Sequence, residues 1–384
     1  MKSLFDYYSE QSESYYGINY NVEDLFLSDF KTSQSRCENF LHNHYMRGRK
    51  KELLDSIFYE QYEKCGKHTH SASLYLLGKA SMRLFEKYLD SKFALFLPNY
   101  THWHNEKRDY LYTWYLPSMY HDFASCIELG SIYPNDSESR RSLCFHLGNH
   151  NIQYVPYRSF PYKAHNVPFR FSPELISNYF YYRACCGDCD HGIIAGYLFF
   201  DRFIKNFLLK TENCLCTNFD ENGNVEVDNL NWNTDFPMYA AYVADAIICH
   251  NIWLGGKTEK EEYTQYGLTP LVYTEHPESK LSVEAFPLQF MLCLLDTIEP
   301  IKRFEDTLSP REILQGIKLD YIANNEIVIS WDAIIAQQKG FKRWKKGVVD
   351  TKKWMCVRVA NKQNLYHLGF SSIILVFRYF FVVF

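Results

Sequence analysis

The sequence predicts a mainly α-helical protein with a small α/β region at its C-terminal end. Two observations favour this fold class: long helical apolar patterns dominate from about residue 68 to 305, and strand-like segments occur only after residue 306. The chain has 384 residues, of which 47% are hydrophobic and 22% are charged. It can therefore bury a large core, which excludes a disordered or fibrous protein.

Three regions are expected in order along the chain. Residues 1–66 are polar and aromatic and predict an N-terminal helical extension. Residues 67–305 carry the long helical patterns and predict the helical core. Residues 306–384 predict the small α/β region, because segments 326–330 and 354–359 have the β-branched and apolar composition typical of strands.

Both ends of the chain bear on its location in the cell. Residues 368–384 are almost wholly apolar but short for a membrane-spanning helix, so they predict a buried terminal strand, with a membrane tail as the weaker alternative. Residues 1–10 contain no apolar segment of signal-peptide length. We therefore expect a cytoplasmic protein without membrane association, and free thiols for its 12 cysteines.

Five helical apolar patterns of the core each carry a histidine or an aspartate at or near one end. Taken singly such residues are a weak signal, because a lone buried histidine is more often a packed core residue than a ligand. The order and setting of six such residues together strengthen the signal for a metal site. The patterns are the segment that follows His70, 111–123 with His121 and Asp122, 190–200 with His191, 238–250 with His250, and 288–304 with Asp296.

The two aspartates need compensating charge. Asp122 and Asp296 lie in apolar patterns with few obvious lysine or arginine partners. Burial of an unpaired carboxylate costs several kcal/mol, on the order of the whole stability of a domain. A divalent cation would neutralise both carboxylates, and imidazoles from the other patterns would complete its shell. Adjacent residues of a helix point about 100° apart, so Asp122 could bridge a second ion.

The six residues form a pattern that resembles the HD-domain superfamily of metal-dependent phosphohydrolases. This pattern consists of an early His, a His-Asp pair, two later histidines and a closing Asp. The resemblance covers about residues 68–305 and implies an HD-like helical bundle. The segments around His191 and His250 look like the extra histidines of dinuclear members, including the nuclease domain of the CRISPR-associated helicase-nucleases.

The chain departs from the family pattern at two places. Phe123, Ala124 and Ser125 follow the His-Asp pair, where many relatives have a small residue, Gly and Lys. The missing lysine removes one candidate phosphate contact. Asn251 follows His250, where the CRISPR-associated members tend to have a second histidine, and an amide oxygen binds a transition metal more weakly than imidazole does.

The resemblance implies a particular set of ligands. The first ion would be held by His70, His121, Asp122 and Asp296, and the second by Asp122, His191 and His250. Asp122 would be a catalytic residue shared by both ions, which activate water for attack on a phosphate ester. The mixed nitrogen and oxygen shell favours one or two ions of Mn, Fe, Co or Ni over Zn or Mg.

Lys302 and Arg303 are candidate catalytic residues because they follow Asp296 by almost two helical turns. They could reach a substrate phosphate if Pro300 bends the helix inward. An equally supported alternative is a basic last turn that complements the helix dipole.

Three function classes remain open. The favoured one is a phosphohydrolase or phosphodiesterase acting on a phosphorylated small molecule or a nucleotide. The second is a single-strand nuclease, which the net charge of −4 mildly disfavours because a nuclease needs a positive channel beside the ions. The third is a non-hydrolytic HD protein, either an iron oxygenase or a degenerate binding module. No oligomeric state is predicted.

Cysteines offer an alternative metal site. Cys185, Cys186 and Cys189 together with Cys214 and Cys216 match a structural zinc pattern only in part, because the second pair has a single intervening residue. Free cysteines beside a helix are the favoured interpretation. Six histidines outside the pattern are expected at the surface or in loops: His68, His102, His104, His146, His150 and His165.

Overall fold

A computed structural model describes residues 2–11, 20–46, 66–97, 110–125, 167–186, 189–212, 220–221, 224–227, 230–255, 260–322, 326–362 and 365–370. Its helices are α1 (Leu4–Ser9), α2 (Val22–Leu25), α3 (Phe30–Met46), α4 (His68–Phe96), α5 (Tyr110–Tyr120), α6 (Pro173–Cys185), α7 (His191–Glu212), α8 (Phe236–Cys249), α9 (Lys260–Gln265), α10 (Pro287–Ile298), α11 (Ile301–Phe304), α12 (Pro310–Gly316), α13 (Ala333–Gln337) and α14 (Phe341–Trp354). Its strands are β1 (Lys2–Ser3), β2 (Asn224–Val227), β3 (Leu230–Asn233), β4 (Ile317–Ile322), β5 (Glu326–Trp331), β6 (Val357–Lys362) and β7 (Leu365–Phe370). The predicted fold class, mainly α with a small α/β appendage, is confirmed.

The helical core is built around α8, which is buried along nearly its whole length. Helix α7 packs along α8, and α10 packs against both α8 and α4. Helix α5 packs on α4, where Gly78 leaves room for the indole of Trp114. The Trp114 Nε1–H donates to the Tyr75 carbonyl at 3.0 Å, and a side chain at position 78 would collide with this ring. The close pairing of α4 with α5 therefore depends on glycine.

Two helix ends differ from the sequence prediction. Helix α5 ends at Tyr120, so His121 and Asp122 lie in the tighter turn that follows it. The predicted continuous helix 288–304 is wrong, because α10 ends at Ile298 and α11 begins at Ile301. Pro300 explains the break: it lacks an amide hydrogen and disfavours the helical conformation of the residue before it, which here is extended.

The α/β region contains a five-stranded antiparallel sheet with the order β1-β4-β5-β7-β6. The predicted strand 326–330 is confirmed as β5. The predicted strand 354–359 begins later, at Val357, because α14 continues to Trp354. Of the apolar segment 368–384, the first residues belong to β7 and residues 371–384 lie outside the described residues. Among the described residues, no helix is both long enough and apolar enough to cross a bilayer.

The first strand of this sheet comes from the opposite end of the chain. Strand β1 pairs with β4, where Ser3 lies opposite Lys318. Ser3 is also the N-cap of α1, and its hydroxyl and the Asp6 carboxylate form a reciprocal capping box. Helix α1 in turn packs against α12. Part of the predicted N-terminal extension, 1–66, therefore shares a sheet with the region after residue 306.

Helix α14 joins the α/β region to the core. Its buried face includes Trp344 and Val348, and the helix packs on α10. The Trp344 Nε1–H donates to the carbonyl of Ile298, the last residue of α10, at 3.3 Å. The amphipathic pattern of α14 therefore has its apolar side against the helix that carries Asp296.

Candidate metal centre

The ends of α5, α8 and α10 and the beginnings of α4 and α7 meet at one place in the core. Each brings one or two candidate ligands, and these form two groups in which all ligand atoms lie within 4.8 Å of one another. The first group is His70, His121 and Asp296, and the second is Asp122, His191 and His250. The structure thus brings together all six residues that the sequence pattern singled out. Their roles as ligands stay a prediction.

In the first group three side chains converge on a common point. The Nε2 atom of His70 lies 3.0 Å from Asp296 Oδ1 and 3.4 Å from His121 Nε2. The Nε2 atom of His121 lies 3.5 Å from the same Asp296 oxygen. Ligand atoms that each lie about 2.1 Å from one ion are separated from one another by about 3.0–3.4 Å. The observed separations therefore fit a shared metal ion.

Asp122 lies between the two groups. Its Oδ1 is 3.1 Å from His191 Nε2, and its Oδ2 is 3.6 Å from His70 Nε2. The His250 ring completes a row of imidazoles, with centroids 5.2 Å from His121 and 5.3 Å from His191. A carboxylate with one oxygen towards each group can bridge two ions, as the sequence predicts for Asp122.

Backbone carbonyls fix which nitrogen two of the imidazoles present. The Nδ1 atom of His121 lies 3.1 Å from the Ser118 carbonyl, and that of His250 lies 2.6 Å from the Ile247 carbonyl. A carbonyl oxygen can only accept, so each Nδ1 carries the hydrogen. The neutral ring then presents the Nε2 lone pair to the other ligands, which is the tautomer that a metal needs.

Glu299 contacts the Nδ1 atom of His70, on the side of the ring away from the other ligands. This residue was not predicted from the sequence. Its fully buried carboxylate accepts from His70 Nδ1 at 2.7 Å and from the Ser73 hydroxyl at 2.6 Å. Carboxylates in this position orient metal-binding histidines. A signal was present in the sequence, since Glu299 is an acidic residue in an apolar pattern directly before Pro300.

Both aspartates are ionised at neutral pH. Burial raises the pKa of Asp122, but the neighbouring imidazoles of His121 and His191 and the ammonium of Lys67 outweigh it and hold this pKa well below 3.8. Burial also raises the pKa of Asp296, but the Lys302 ammonium, together with the imidazoles of His121 and His70 beside the carboxylate, holds it well below 3.8. Ionised carboxylates are what metal binding requires.

The two ends of the imidazole row differ in basicity. Burial, together with the imidazoles of His121 and His191 beside it, lowers the pKa of His250 from 6.5 to about 3. Burial and the Lys302 charge act in the same direction on His70, but its contacts with Glu299 and a second carboxylate outweigh them and raise its pKa. His250 is therefore a neutral ring at pH 7 and needs to lose no proton before it binds a metal.

Two lysines lie against the carboxylates, so the expectation of few cationic partners was wrong. Lys302 Nζ forms an ion pair with Asp296 Oδ1, and Lys67 Nζ lies 3.6 Å from Asp122 Oδ2. Lys302 reaches Asp296 because Pro300 ends one helix and a new one starts. Charge balance alone therefore does not require a metal. The convergence of four imidazoles carries the metal interpretation.

Gly192 allows the two helices of the second group to approach closely. A Cβ atom at this position would lie 2.8 Å from two ring atoms of His250 and 3.0 Å from the Ile247 carbonyl. Because His191 directly precedes Gly192 at the start of α7, this approach brings the His191 ring beside that of His250. The glycine of the Asp-His-Gly segment therefore has a packing role at the centre.

The other predicted residues have different outcomes. Arg303 forms no ion pair with Asp122 or Asp296 in the part of the chain that the structure describes, and its catalytic role stays a prediction. The surface position predicted for His68 is wrong. His68 is 1% exposed, because α3 covers this end of α4 and Gln34 Nε2 lies 2.6 Å from its Nδ1. Burial lowers the pKa of His68 to about 4. Five histidines lie outside the described residues: His102, His104, His146, His150 and His165.

The cysteine alternative involves five residues, of which three lie among the described residues. Neither metal-capable group among the described residues contains a cysteine, and Cys185, Cys186 and Cys189 form no disulfide there. Cys214 and Cys216 lie outside the described residues. A zinc site formed by these five cysteines therefore stays untested.

No family model, no curated protein and no solved structure matches this chain. The metal interpretation therefore depends on the donors themselves. Imidazole nitrogens and carboxylate oxygens together suit a divalent transition metal. Two buried groups of this kind could hold a metal, which is compatible with an HD-like centre.

Proposed function

We propose that this chain is an HD-type, metal-dependent phosphohydrolase or phosphodiesterase that acts on a phosphorylated small molecule or a nucleotide. One observation carries the proposal: four imidazoles and two ionised carboxylates from five separate elements converge in two adjacent groups. The fit of both groups to divalent ions supports a mono- or dinuclear centre of Mn, Fe, Co or Ni.

The side chains would have different roles in such a centre. Bound divalent ions would supply a water of lowered pKa and would withdraw charge from phosphoryl oxygens. Asp122 would hold both groups together through its two oxygens, and Asp296 would complete the first. Asn251 Nδ2 lies 2.9 Å from His191 Nε2, the nitrogen that also faces Asp122, so this amide lies beside the second group where the CRISPR-associated members tend to have a second histidine.

Lys67 is the basic group best placed to meet a substrate phosphate. Its side chain is 35% exposed and lies 3.6 Å from Asp122, whereas Lys302 is only 13% exposed and is bound to Asp296. An ammonium beside the reacting group stabilises negative charge that develops in the transition state. Lys67 could therefore supply the phosphate contact that relatives take from the lysine after the His-Asp pair.

Metal analysis tests the centre directly. The purified native chain is expected to bind one or two equivalents of Mn²⁺ and to hydrolyse bis-p-nitrophenyl phosphate. The variant Asp122→Ala should lose most of the metal and should hydrolyse this ester at least about 100-fold more slowly, because both groups lose a ligand. Asp306→Ala, the same change at an exposed position outside the centre, is the matched control.

Each other result is also informative. Equal metal content in the native chain and Asp122→Ala would contradict the metal centre. Specific metal binding without hydrolysis of any phosphate ester would contradict the hydrolase and favour the non-hydrolytic class, an iron oxygenase or a binding module.

A second candidate function, a single-strand nuclease, is favoured by one observation on α14. Five basic side chains of this helix are exposed and form what we call the α14 basic face: Lys342, Arg343, Lys346, Lys352 and Lys353. Of these five side chains, only Lys353 has an ion-pair partner within the described residues, namely Asp350. Helix α14, which bears this face, packs on the helix that carries Asp296, so a polyanion bound along α14 would need to extend around it to reach the centre.

A further inference from the structure

Four buried side chains form a hydrogen-bonded chain that leads from the N-terminal helix to the first metal group. Tyr8 of α1 lies 3.1 Å from the Ser73 hydroxyl, which lies 2.6 Å from Glu299 Oε1. The other oxygen of Glu299 lies 2.7 Å from His70 Nδ1. All four residues are at most 1% exposed. No water is needed to connect them, so the chain is direct.

The direction of the hydrogen bonds follows from the donor inventory. Both Glu299 oxygens face donors, since the Ile301 amide also donates to Oε1 at 3.0 Å. The single hydroxyl hydrogen of Ser73 is therefore directed to Glu299, and the Tyr8 hydroxyl must donate to Ser73. His70 consequently carries its hydrogen on Nδ1 and presents Nε2 to Asp296 and His121.

Helix α1 is itself held by the α/β region. Strand β1 directly precedes α1 and pairs with β4. Arg311 at the start of α12 places its guanidinium 5.0 Å from the centroid of the Phe5 ring. These contacts fix α1 from its outer side, while Tyr8 reaches inward to Ser73.

We propose that Glu299, Ser73 and Tyr8 are positioning residues for the metal ligand His70, so that helix α1 and the sheet that holds it belong functionally to the metal centre. Glu299 sets the tautomer and the ring orientation of His70. Ser73 and Tyr8 hold the carboxylate in the one position that serves this purpose. The inference rests on the proposed metal centre but not on the hydrolysis of any substrate.

The variants Glu299→Gln and Tyr8→Phe test the inference through metal affinity. In Glu299→Gln one oxygen becomes an NH₂ group, which must face either His70 Nδ1–H or the Ser73 hydroxyl, so one donor loses its acceptor. Affinity for Mn²⁺, measured by calorimetry on the full chain, should fall about 10- to 100-fold. Tyr8→Phe removes only the outermost donor and should weaken binding about 3- to 10-fold.

Two comparisons separate positioning from general destabilisation. Tyr20→Phe removes a hydroxyl that donates at 3.0 Å to the Gln11 carbonyl of the same N-terminal segment and is not one of the four linked side chains, so it should leave the metal affinity unchanged. In a Ser73→Ala background, Tyr8→Phe should have no further effect on metal affinity, because the link is already broken. In the protein loaded with a diamagnetic divalent ion, resonances of isotope-labelled histidine should show the Nδ1–H tautomer of His70 in the native chain and its loss only in Glu299→Gln.

The possible failures are distinct. Native-like metal affinity in Glu299→Gln and Tyr8→Phe would overturn the inference, even if the native enzyme hydrolyses phosphate esters. An equal loss of affinity in Tyr20→Phe would also overturn it, because the effect would then be general. A native chain that binds metal but hydrolyses nothing would contradict the proposed function and leave the affinity test valid. Absence of metal binding by the native chain would overturn both.

Discussion

The orientation of three imidazoles at the centre is set by the hydrogen-bond partner of the Nδ1 atom. His121 and His250 are fixed by carbonyls of their own turns, whereas His70 is fixed by the carboxylate of Glu299 from another element. A local contact of the first kind follows from the position of a histidine just after a helix. The second kind depends on the fold, because it joins residues that are far apart in the sequence.

Asp245 provides a prediction at the scale of one residue. Burial raises the pKa of this α8 side chain from 3.8 to about 7. The folded chain therefore keeps a proton on Asp245 up to about pH 7, while the unfolded chain releases it near pH 3.8. This contribution to the free energy of unfolding is complete below pH 3.8 and is lost as the pH rises, by up to about 1.4 kcal/mol per pH unit until about pH 7.

The variant Asp245→Asn should lack this pH dependence, because its amide stays neutral and its oxygen can still accept from the Cys249 thiol. Urea unfolding of both proteins at several pH values between about 4 and 8 measures the difference between their free energies of unfolding. The variant should become the more stable protein towards the upper end of the range. Asp24→Asn, at an exposed position, should follow the native curve. Parallel curves for the native chain and Asp245→Asn would show that Asp245 does not titrate in this range.

At the scale of elements, packing decides what a charge pattern can do. The basic residues of α14 stay exposed because its aromatic face is fixed against α10. Lys302 is the opposite case, since the break at Pro300 turns its ammonium into the core and onto Asp296. Both groups of basic residues are visible in the sequence, but only the packing of their helices shows which of them can meet a polyanion.

Charge reversal on the α14 basic face discriminates between the two candidate functions. The double variant Lys342→Glu/Lys346→Glu should bind a fluorescein-labelled single-stranded oligonucleotide about tenfold more weakly, with a smaller dependence of the affinity on salt, because two cations leave one side of the helix. Fluorescence anisotropy measures the binding. Hydrolysis of bis-p-nitrophenyl phosphate should stay unchanged, since this ester is too small to reach α14.

Lys31→Glu/Arg36→Glu on α3 is the matched control, because both residues are exposed and the change in net charge is the same. The same loss of affinity in both double variants would mean a general charge effect rather than a docking surface. Undetectable oligonucleotide binding by the native chain would remove the nuclease and leave the small-molecule substrate.

For the molecule as a whole, the sequence was sufficient where the signal was periodic and local. The apolar periodicity of α4, α7, α8 and α10 predicted the helical class, and the polar residues at their ends predicted the six that converge. The exact end of α5 and the break at Pro300 were missed, because hydrophobic periodicity continues across both. Glu299 and the partners of the carboxylates were missed because they depend on tertiary contacts between separate elements.

Metal should stabilise the whole molecule, because its candidate ligands join five elements of one core. A metal present at about 100 times its dissociation constant adds about 2.7 kcal/mol to the free energy of unfolding. Removal of metal with a chelator should therefore lower the Tm of the native chain by a few degrees. Asp122→Ala should melt at the same temperature with and without chelator. An unchanged Tm of the native chain after complete removal of bound metal would contradict this coupling.

The pairing of β1 with β4 has a consequence for how the protein is made. Strand β1 leaves the ribosome before its partner β4, which follows only after the whole helical core. Helix α1 and its Tyr8 therefore lack their outer anchor throughout most of synthesis, and strand pairs so distant in sequence close slowly. A nascent chain that stops before residue 317 would already contain all six candidate ligands, but α1 would have no sheet to hold it.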